Sequence, residues 1–327
     1  MPLSVPTVFT NANLTRGICQ VYPSGDIWVG GIGYVWRYRS NGTSLNFSLG
    51  TAQIGGICWD GSYLWAAETN VGSGAKVWKI HPVTGPVAGY VVPNASGSIC
   101  LGGDGNLWCT TEWAAGTTTW QGVTALTPLG TIAHTYTVTS GNSALTASNS
   151  HGITTDNLGI YVWVVYGGFP NVYRVTQATG AVTSYTLSSP SSLPAGIMRD
   201  GSNYYIADQN LAAWKVTSAG VRTRWATVSG GGGSLFAEPN GICAAADGNY
   251  YTCTADGYVY RIDPTTGEFT EVCYLAHYAF GIPLDICAGP PVGVPGAVYV
   301  GALTVPTSYP TVWTVAPGYA MQVPLIG

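Results

Sequence analysis

Apolar and polar residues alternate along this chain in short runs typical of β-strands, and the runs recur in units of about 40 to 50 residues. Each unit opens on a small residue followed by isoleucine, at Gly17-Ile18, Gly56-Ile57, Ser98-Ile99, Gly152-Ile153, Gly196-Ile197, Gly241-Ile242 and Gly281-Ile282. A glycine turn, a strand with one aromatic residue, a third alternating strand, a second glycine turn and a more polar strand follow in that order. The pattern predicts four antiparallel strands per unit, and no window has the 3.6-residue period of a long helix.

Two features recur at fixed positions inside the units. The first glycine turn is usually Asp-Gly, which supplies the positive φ of a tight hairpin, at Asp60-Gly61, Asp104-Gly105, Asp200-Gly201 and Asp247-Gly248. The second strand carries one aromatic residue at an equivalent place, at Trp28, Trp65, Trp108, Trp163, Tyr205, Tyr251 and Tyr299. We expect these aromatic side chains to fill the spaces between neighbouring sheets.

Seven such units predict one all-β domain, a seven-bladed β-propeller with four antiparallel strands per blade. A β-sandwich has strands at similar spacing but does not explain seven near-identical units. We expect an N-terminal segment at 1–16, which adds an outer strand or contacts a partner, and the propeller at 17–327. The blades are predicted at about 17–54, 55–96, 97–150, 151–193, 194–239, 240–279 and 280–327.

Charged residues make up only 8% of the 327 residues, and the net charge is −4. Without clustered Lys and Arg we expect no nucleic-acid binding. The first residues lack the pattern of a signal peptide, and no run of 18 apolar residues predicts a membrane span. The composition favours a protein made in the cytoplasm that ends on a virion or another extracellular surface, in an assembly where it contacts other proteins or is oligomeric.

Seven of the eight cysteines follow the repeat. Cys19, Cys58, Cys100, Cys243 and Cys287 share one position beside isoleucine, and Cys109 and Cys253 share another. Residues that recur at one structural position meet the same packed surroundings, so we expect buried thiols. The cross-strand pairs Cys100/Cys109 and Cys243/Cys253 are the best candidates for a disulfide. No Cys-x-x-Cys pair points to zinc.

Candidate site residues lie in the loops that enter each unit and that follow its second strand, because both sets open onto one face of a propeller. The candidates are Glu112, Trp113, Trp120, Tyr166, Asp208 and Asn210 for ligand binding, Glu68, Glu112 and Asp256 for a metal, and His151 and His277 for a catalytic base. Such oxygen ligands suit Mg²⁺ or Ca²⁺, although the pattern requires no cofactor. Loop Asp and Asn side chains equally cap turns.

The unit G-I-x(4–5)-D-G-x-L-W-x-x-E resembles the repeat of virginiamycin B lyase-like seven-bladed propellers. Ser98-Ile99 to Glu112 and Gly56-Ile57 to Glu68 carry the resemblance best. It implies a propeller in which a Glu after the second-strand Trp helps to hold Mg²⁺ and a His before the Gly-Ile pair is the base that opens a cyclic depsipeptide. Here His151 precedes its Gly-Ile pair in a unit without that Glu, and Glu68 and Glu112 lie in units without that His.

Because the His and the Glu are split between units, the sequence favours a non-enzymatic binding or structural propeller. We expect a component of a large particle, a bacteriophage minor tail or tail-tip protein in host-surface attachment, with other virion proteins or a host-surface glycan as partners. One alternative is a metal-dependent lyase or lactone hydrolase of the virginiamycin B lyase type. Another is a lectin-like propeller with Trp113 in its sugar site.

Overall fold

A computed structural model describes residues 17–21, 24–39, 43–69, 73–115, 118–142, 151–166, 169–187, 194–208, 212–227, 239–254, 258–274, 281–288, 298–304 and 310–315. These residues form strands and turns, with no helix that could span a membrane among them. The predicted N-terminal segment, 1–16, lies outside the described residues.

The strands are β1 (Ile18–Val21), β2 (Asp26–Gly30), β3 (Ile32–Tyr38), β4 (Ser44–Trp59), β5 (Leu64–Glu68), β6 (Lys76–His81), β7 (Gly85–Val91), β8 (Ala95–Leu101), β9 (Leu107–Ala115), β10 (Thr118–Leu126), β11 (Ile132–Asn142), β12 (His151–Thr155), β13 (Tyr161–Tyr166), β14 (Asn171–Thr176), β15 (Val182–Thr186), β16 (Pro194–Asp200), β17 (Asn203–Asp208), β18 (Ala212–Thr217), β19 (Arg222–Thr227), β20 (Pro239–Ala244), β21 (Tyr250–Thr254), β22 (Tyr258–Ile262), β23 (Phe269–Tyr274), β24 (Gly281–Ala288), β25 (Val298–Thr304) and β26 (Pro310–Val315).

Consecutive strands pair antiparallel and form the blades. Blade 3 is β8–β11, blade 4 is β12–β15, blade 5 is β16–β19 and blade 6 is β20–β23. Blade 7 has the strands β24–β26 in the described residues. Blades 1 and 2 are joined in one sheet by the 16-residue strand β4, whose first half pairs with β3 and whose second half pairs with β5. The predicted boundary between residues 54 and 55 therefore falls inside a strand.

The blades close into a ring. The innermost strand of each blade contacts the innermost strand of the next, in the order β1, β4, β8, β12, β16, β20 and β24. Strand β24 also contacts β1, which closes the ring. The described strands thus have the architecture of a β-propeller, as predicted. In a closed ring each blade packs against a neighbour on both of its faces.

The second-strand aromatic residues whose side chains the structure describes, in blades 1 to 6, fill the gap to the next blade. Trp65 is fully buried and packs with Ile99 and Leu107 of blade 3. Trp108 packs in the same way with Val164 of blade 4. Because side chains alternate along a strand, the neighbours Leu64 and Ala66 point to the opposite gap, between blades 1 and 2.

The turn aspartates of blades 2, 3 and 6 accept hydrogen bonds from the second-strand aromatic residue of their own blade. Trp65 Nε1 donates to Asp60 Oδ2 at 2.6 Å, and Tyr251 OH donates to Asp247 Oδ2 at 2.8 Å. In blade 1 the turn has Ser24 instead of aspartate, and the Nε1 atom of Trp28 is buried without a hydrogen-bond partner. The Asp-Gly turns therefore do more than supply a positive φ, because their carboxylates also satisfy buried polar atoms.

The described cysteines lie in the gaps between blades. Cys58, Cys100 and Cys109 are thiols. Cys109 packs in the gap between blades 2 and 3, whereas Cys100 packs in the gap between blades 3 and 4. The suggested Cys100/Cys109 disulfide is therefore wrong. Cys109 pairs with Ile99, the neighbour of Cys100, so the side chains of the two cysteines point to opposite faces of the sheet. Burial raises the pKa of Cys109 to about 12.

Candidate functional site

The loop face is the face of the ring onto which the second strands end. Strands β5, β13 and β17 end three residues after their aromatic residue, at Glu68, Tyr166 and Asp208. Strand β9 continues past the equivalent residue, Thr111, to Ala115. Blade 3 therefore differs from these blades in the reach of its second strand.

Glu68 is an acceptor for a buried tryptophan. Its Oε1 atom accepts a hydrogen bond from Trp78 Nε1 at 2.7 Å, and its Oε2 atom accepts one from the backbone N–H of Lys76 at 3.1 Å. The residue is only 6% exposed. Both oxygens of this predicted metal ligand are thus engaged inside blade 2.

Asp208 has the same role in blade 5. It is 1% exposed, and its Oδ2 atom accepts a hydrogen bond from Trp214 Nε1 at 2.8 Å. Trp78 and Trp214 occupy the same position in the third strand of their units, each followed by lysine. The sequence signal for this carboxylate–indole hydrogen bond has two parts. One is a carboxylate three residues after the second-strand aromatic residue, and the other is a tryptophan in the third strand.

Glu112 is not equivalent to Glu68, although the two occupy similar places in the repeat motif. Glu68 follows Trp65 by three residues and points away from its gap, whereas Glu112 follows Trp108 by four and points to the same gap as Trp108, between blades 3 and 4. An offset of one residue therefore turns the two carboxylates towards opposite neighbours.

Several polar groups meet Glu112 in this gap. Glu112 pairs in register with Gln121, which is fully buried and has both amide atoms without a hydrogen-bond partner. Tyr166 OH donates to the backbone oxygen of Gly122 at 2.7 Å. Burial raises the pKa of Tyr166, and the nearby charges of Tyr173 and then Glu112 raise it further. The gap thus combines a carboxylate, a phenol and an unpaired buried amide.

His151 belongs to blade 4, on the other side of this gap. His151 pairs in register with Tyr166, across β12 and β13 of blade 4. Glu112 of blade 3 points towards blade 4, so the split His and Glu belong to elements that face one another across one gap. His277, Asn210 and Asp256 lie outside the described residues.

The residues do not form a complete site for the Mg²⁺ that the resemblance implies. Within the described ranges, no group of three or more His, Cys, Asp and Glu side chains lies close enough together to hold a metal ion. Glu68 and Asp208 are turned to buried indoles, and Glu112 lies in a different gap from either. The described carboxylates therefore do not fit such an ion as a group.

A three-stranded arm extends blade 3 beyond the loop face. It consists of residues 112–115 of β9, 118–121 of β10 and 139–142 of β11. Trp113 and Trp120 are cross-strand partners on the arm, and their rings stack at 6.4 Å between centroids with an angle of 11°. Both side chains are half-buried. The arm thus presents a partly exposed aromatic pair on an ordered sheet.

Comparison with solved structures identifies propellers. A catalytically inactive virginiamycin B lyase from Staphylococcus aureus with quinupristin has a TM-score of 0.73 and 17% identity, over 94% of this chain and 98% of that one. The hydrazine synthase of Kuenenia stuttgartiensis has a TM-score of 0.68 and 11% identity, over 97% and 99%. The WD40 β-propeller domain of Doa1 has a TM-score of 0.63 and 11% identity, over 95% of each chain.

The sequence itself matches no protein-family model and no curated protein sequence. At these identities the structural similarity shows the fold alone: a β-propeller whose architecture resembles that of virginiamycin B lyase. The similar structures include enzymes and a WD40 domain, so function has to be argued from the residues of this chain.

Proposed function

We propose that this chain is a non-enzymatic binding propeller and a structural component of a large particle, a bacteriophage tail or tail tip that contacts the host surface. It acts outside the cell after synthesis in the cytoplasm, and its partners are other proteins of the particle. The arm of blade 3 is the surface through which it binds them.

The observation that carries this proposal is the stacked pair Trp113 and Trp120 on the arm. Two half-buried indoles on a sheet that extends past the ring are costly to leave in water, and Trp is enriched at the centres of protein interfaces. The rest of the surface offers few charges for recognition, since only 8% of the residues are charged. An aromatic arm on such a surface supports attachment to another protein.

Two of the suggested carboxylates have structural roles. Glu68 and Asp208, which the sequence suggested for metal or ligand binding, accept hydrogen bonds from buried indoles and stabilise blades 2 and 5. Residues with this role contribute to the fold whether or not the protein is an enzyme.

Mass spectrometry of intact phage particles produced with this chain tests the proposal. We expect the wild-type chain and a Tyr34→Ala control, altered at an exposed aromatic residue of blade 1, to be incorporated. The double variant Trp113→Ala/Trp120→Ala should fold, by circular dichroism, and be depleted at least tenfold from the particles. Absence of the wild-type chain from the particles would refute the assignment.

A second candidate is a lyase that opens a cyclic depsipeptide. It is favoured by one observation, the approach of Glu112 to the blade that carries His151. Incubation of the chain with quinupristin and Mg²⁺, followed by mass spectrometry, tests it. Ring opening that is lost in both Glu112→Gln and His151→Ala, and in EDTA, would replace the first proposal, and an unchanged substrate would exclude this activity.

A further inference from the structure

A cavity of about 500 Å³ lies at the loop face between blades 1 and 2. One wall is the bend of β4 at residues 48–52, where the strand leaves blade 1 and enters blade 2. The other wall consists of Glu68, Gly74, Lys76 and Trp78 of blade 2. The volume is in the range of small-molecule sites, about 300–1,000 Å³.

Glu68 supplies acceptors at the inner wall of this cavity. Its two oxygens accept one hydrogen bond each, from Trp78 Nε1 and from the backbone of Lys76. A carboxylate has about four lone-pair positions, so it can accept further donors. Because Glu68 is 6% exposed and lines the cavity, a donor has to approach it through the cavity.

The remaining polar groups belong to Lys76 and to the bend of β4. The ammonium of Lys76 lies 5.1 Å from the ring centroid of Trp78, and the exposed residues Ser48 and Thr51 add hydroxyl groups. One carboxylate and one ammonium cancel in charge. The site therefore suits a neutral ligand with both donors and acceptors better than an ion or an apolar molecule, because an apolar molecule would use neither the remaining acceptor positions of Glu68 nor the donors of Lys76.

We infer that this cavity binds a neutral saccharide of one or two units, whose hydroxyl groups donate to Glu68 and accept from Lys76. Hydroxyl groups both donate and accept, which matches the paired carboxylate and ammonium. This site is distinct from the blade 3 arm, and it requires neither Trp113 nor a metal.

Binding of the labelled full chain to a printed glycan array tests the inference. We expect wild-type protein to bind one set of neutral glycans, and Glu68→Gln to bind them at least tenfold more weakly. Gly74→Trp should also abolish binding, because Gly74 lines the cavity and an added Cβ there meets no atom within 4 Å, so the backbone accepts a side chain that obstructs the cavity. Asp208→Asn is the matched control, since it alters the same carboxylate–indole bond in blade 5 and should bind like the wild type.

Each other outcome overturns the inference. Failure of the wild type to bind any glycan would show that the cavity has no saccharide ligand. Binding that persists in a folded Gly74→Trp protein and is lost in Trp113→Ala would place the sugar on the arm instead. Particle incorporation is measured separately, so the proposed function can fail while this site stands, or stand while this site fails.

Discussion

Removal of the Asp60 carboxylate should destabilise the ring through one buried indole. Asp60 Oδ1 accepts from the backbone N–H groups of Ser62 and Tyr63 at 2.7 and 2.6 Å, and Oδ2 accepts from Trp65 Nε1 at 2.6 Å. Trp65 is fully buried. Asp60→Ala leaves the indole N–H of Trp65 without a partner, which lowers the free energy of unfolding by about 1–3 kcal/mol. The loss of the two backbone hydrogen bonds in the turn lowers it by about 1 kcal/mol more. We expect a total loss of about 2–4 kcal/mol.

A double-mutant cycle with Trp65→Phe isolates the indole bond, because phenylalanine keeps most of the ring but has no N–H. Urea unfolding followed by circular dichroism should give a coupling energy of about 1.5–2 kcal/mol between the two positions. The matched control is Ser24→Ala with Trp28→Phe in blade 1, where the indole N–H has no partner, and its coupling should be near zero. A coupling below about 0.5 kcal/mol at Asp60 and Trp65 would refute the role assigned to the turn carboxylate.

Three further predictions follow from buried polar groups. Ser24→Asp should stabilise the protein by about 1 kcal/mol, because it offers Trp28 an acceptor like that of Asp60; an unchanged or lower urea midpoint would contradict this. Asp208→Ala should cost about 1–3 kcal/mol by leaving the Trp214 N–H unpaired, and a wild-type-like midpoint would argue against that bond. The Cys109 thiol keeps its proton in the folded chain up to a pKa of about 12, whereas the unfolded chain loses it near the ordinary value of 9.0. The contribution of Cys109 to stability should thus be full below pH 9 and fall by about 1.4 kcal/mol per pH unit above it; if Cys109→Ala shows the same slope as the wild type in urea titrations at pH 8 to 11, the thiol is not responsible.

The repeat makes the fold predictable. Strands need only local alternation and turn residues, and both recur in each unit, so the four-strand pattern and the position of Trp65 or Trp108 follow from spacing alone. The fusion of two blades in β4 is not evident in the sequence, because the bend at residues 48–52 has the pattern of a loop between two strands.

The site is less predictable, because the direction of a side chain depends on register. Glu68 and Glu112 look alike in a motif, yet a difference of one residue from the tryptophan sends them to different gaps. The partners of a carboxylate are also set by strands distant in sequence. Trp78 comes ten residues after Glu68, and the bond from its indole to that side chain becomes recognisable in the sequence only once the same arrangement is seen in blade 5.

The continuous strand β4 has a mechanical consequence for the ring. The outer edge of blade 1 and the inner edge of blade 2 are one uninterrupted backbone, hydrogen-bonded on both sides of its bend. Blades that are joined by a loop can separate while the loop extends. Blades 1 and 2 cannot separate in this way, because hydrogen-bonded strand connects them. Strain applied to the ring, by a partner that pulls on it or by heat, should therefore open a different joint first, and blades 1 and 2 should exchange their amide hydrogens as one unit.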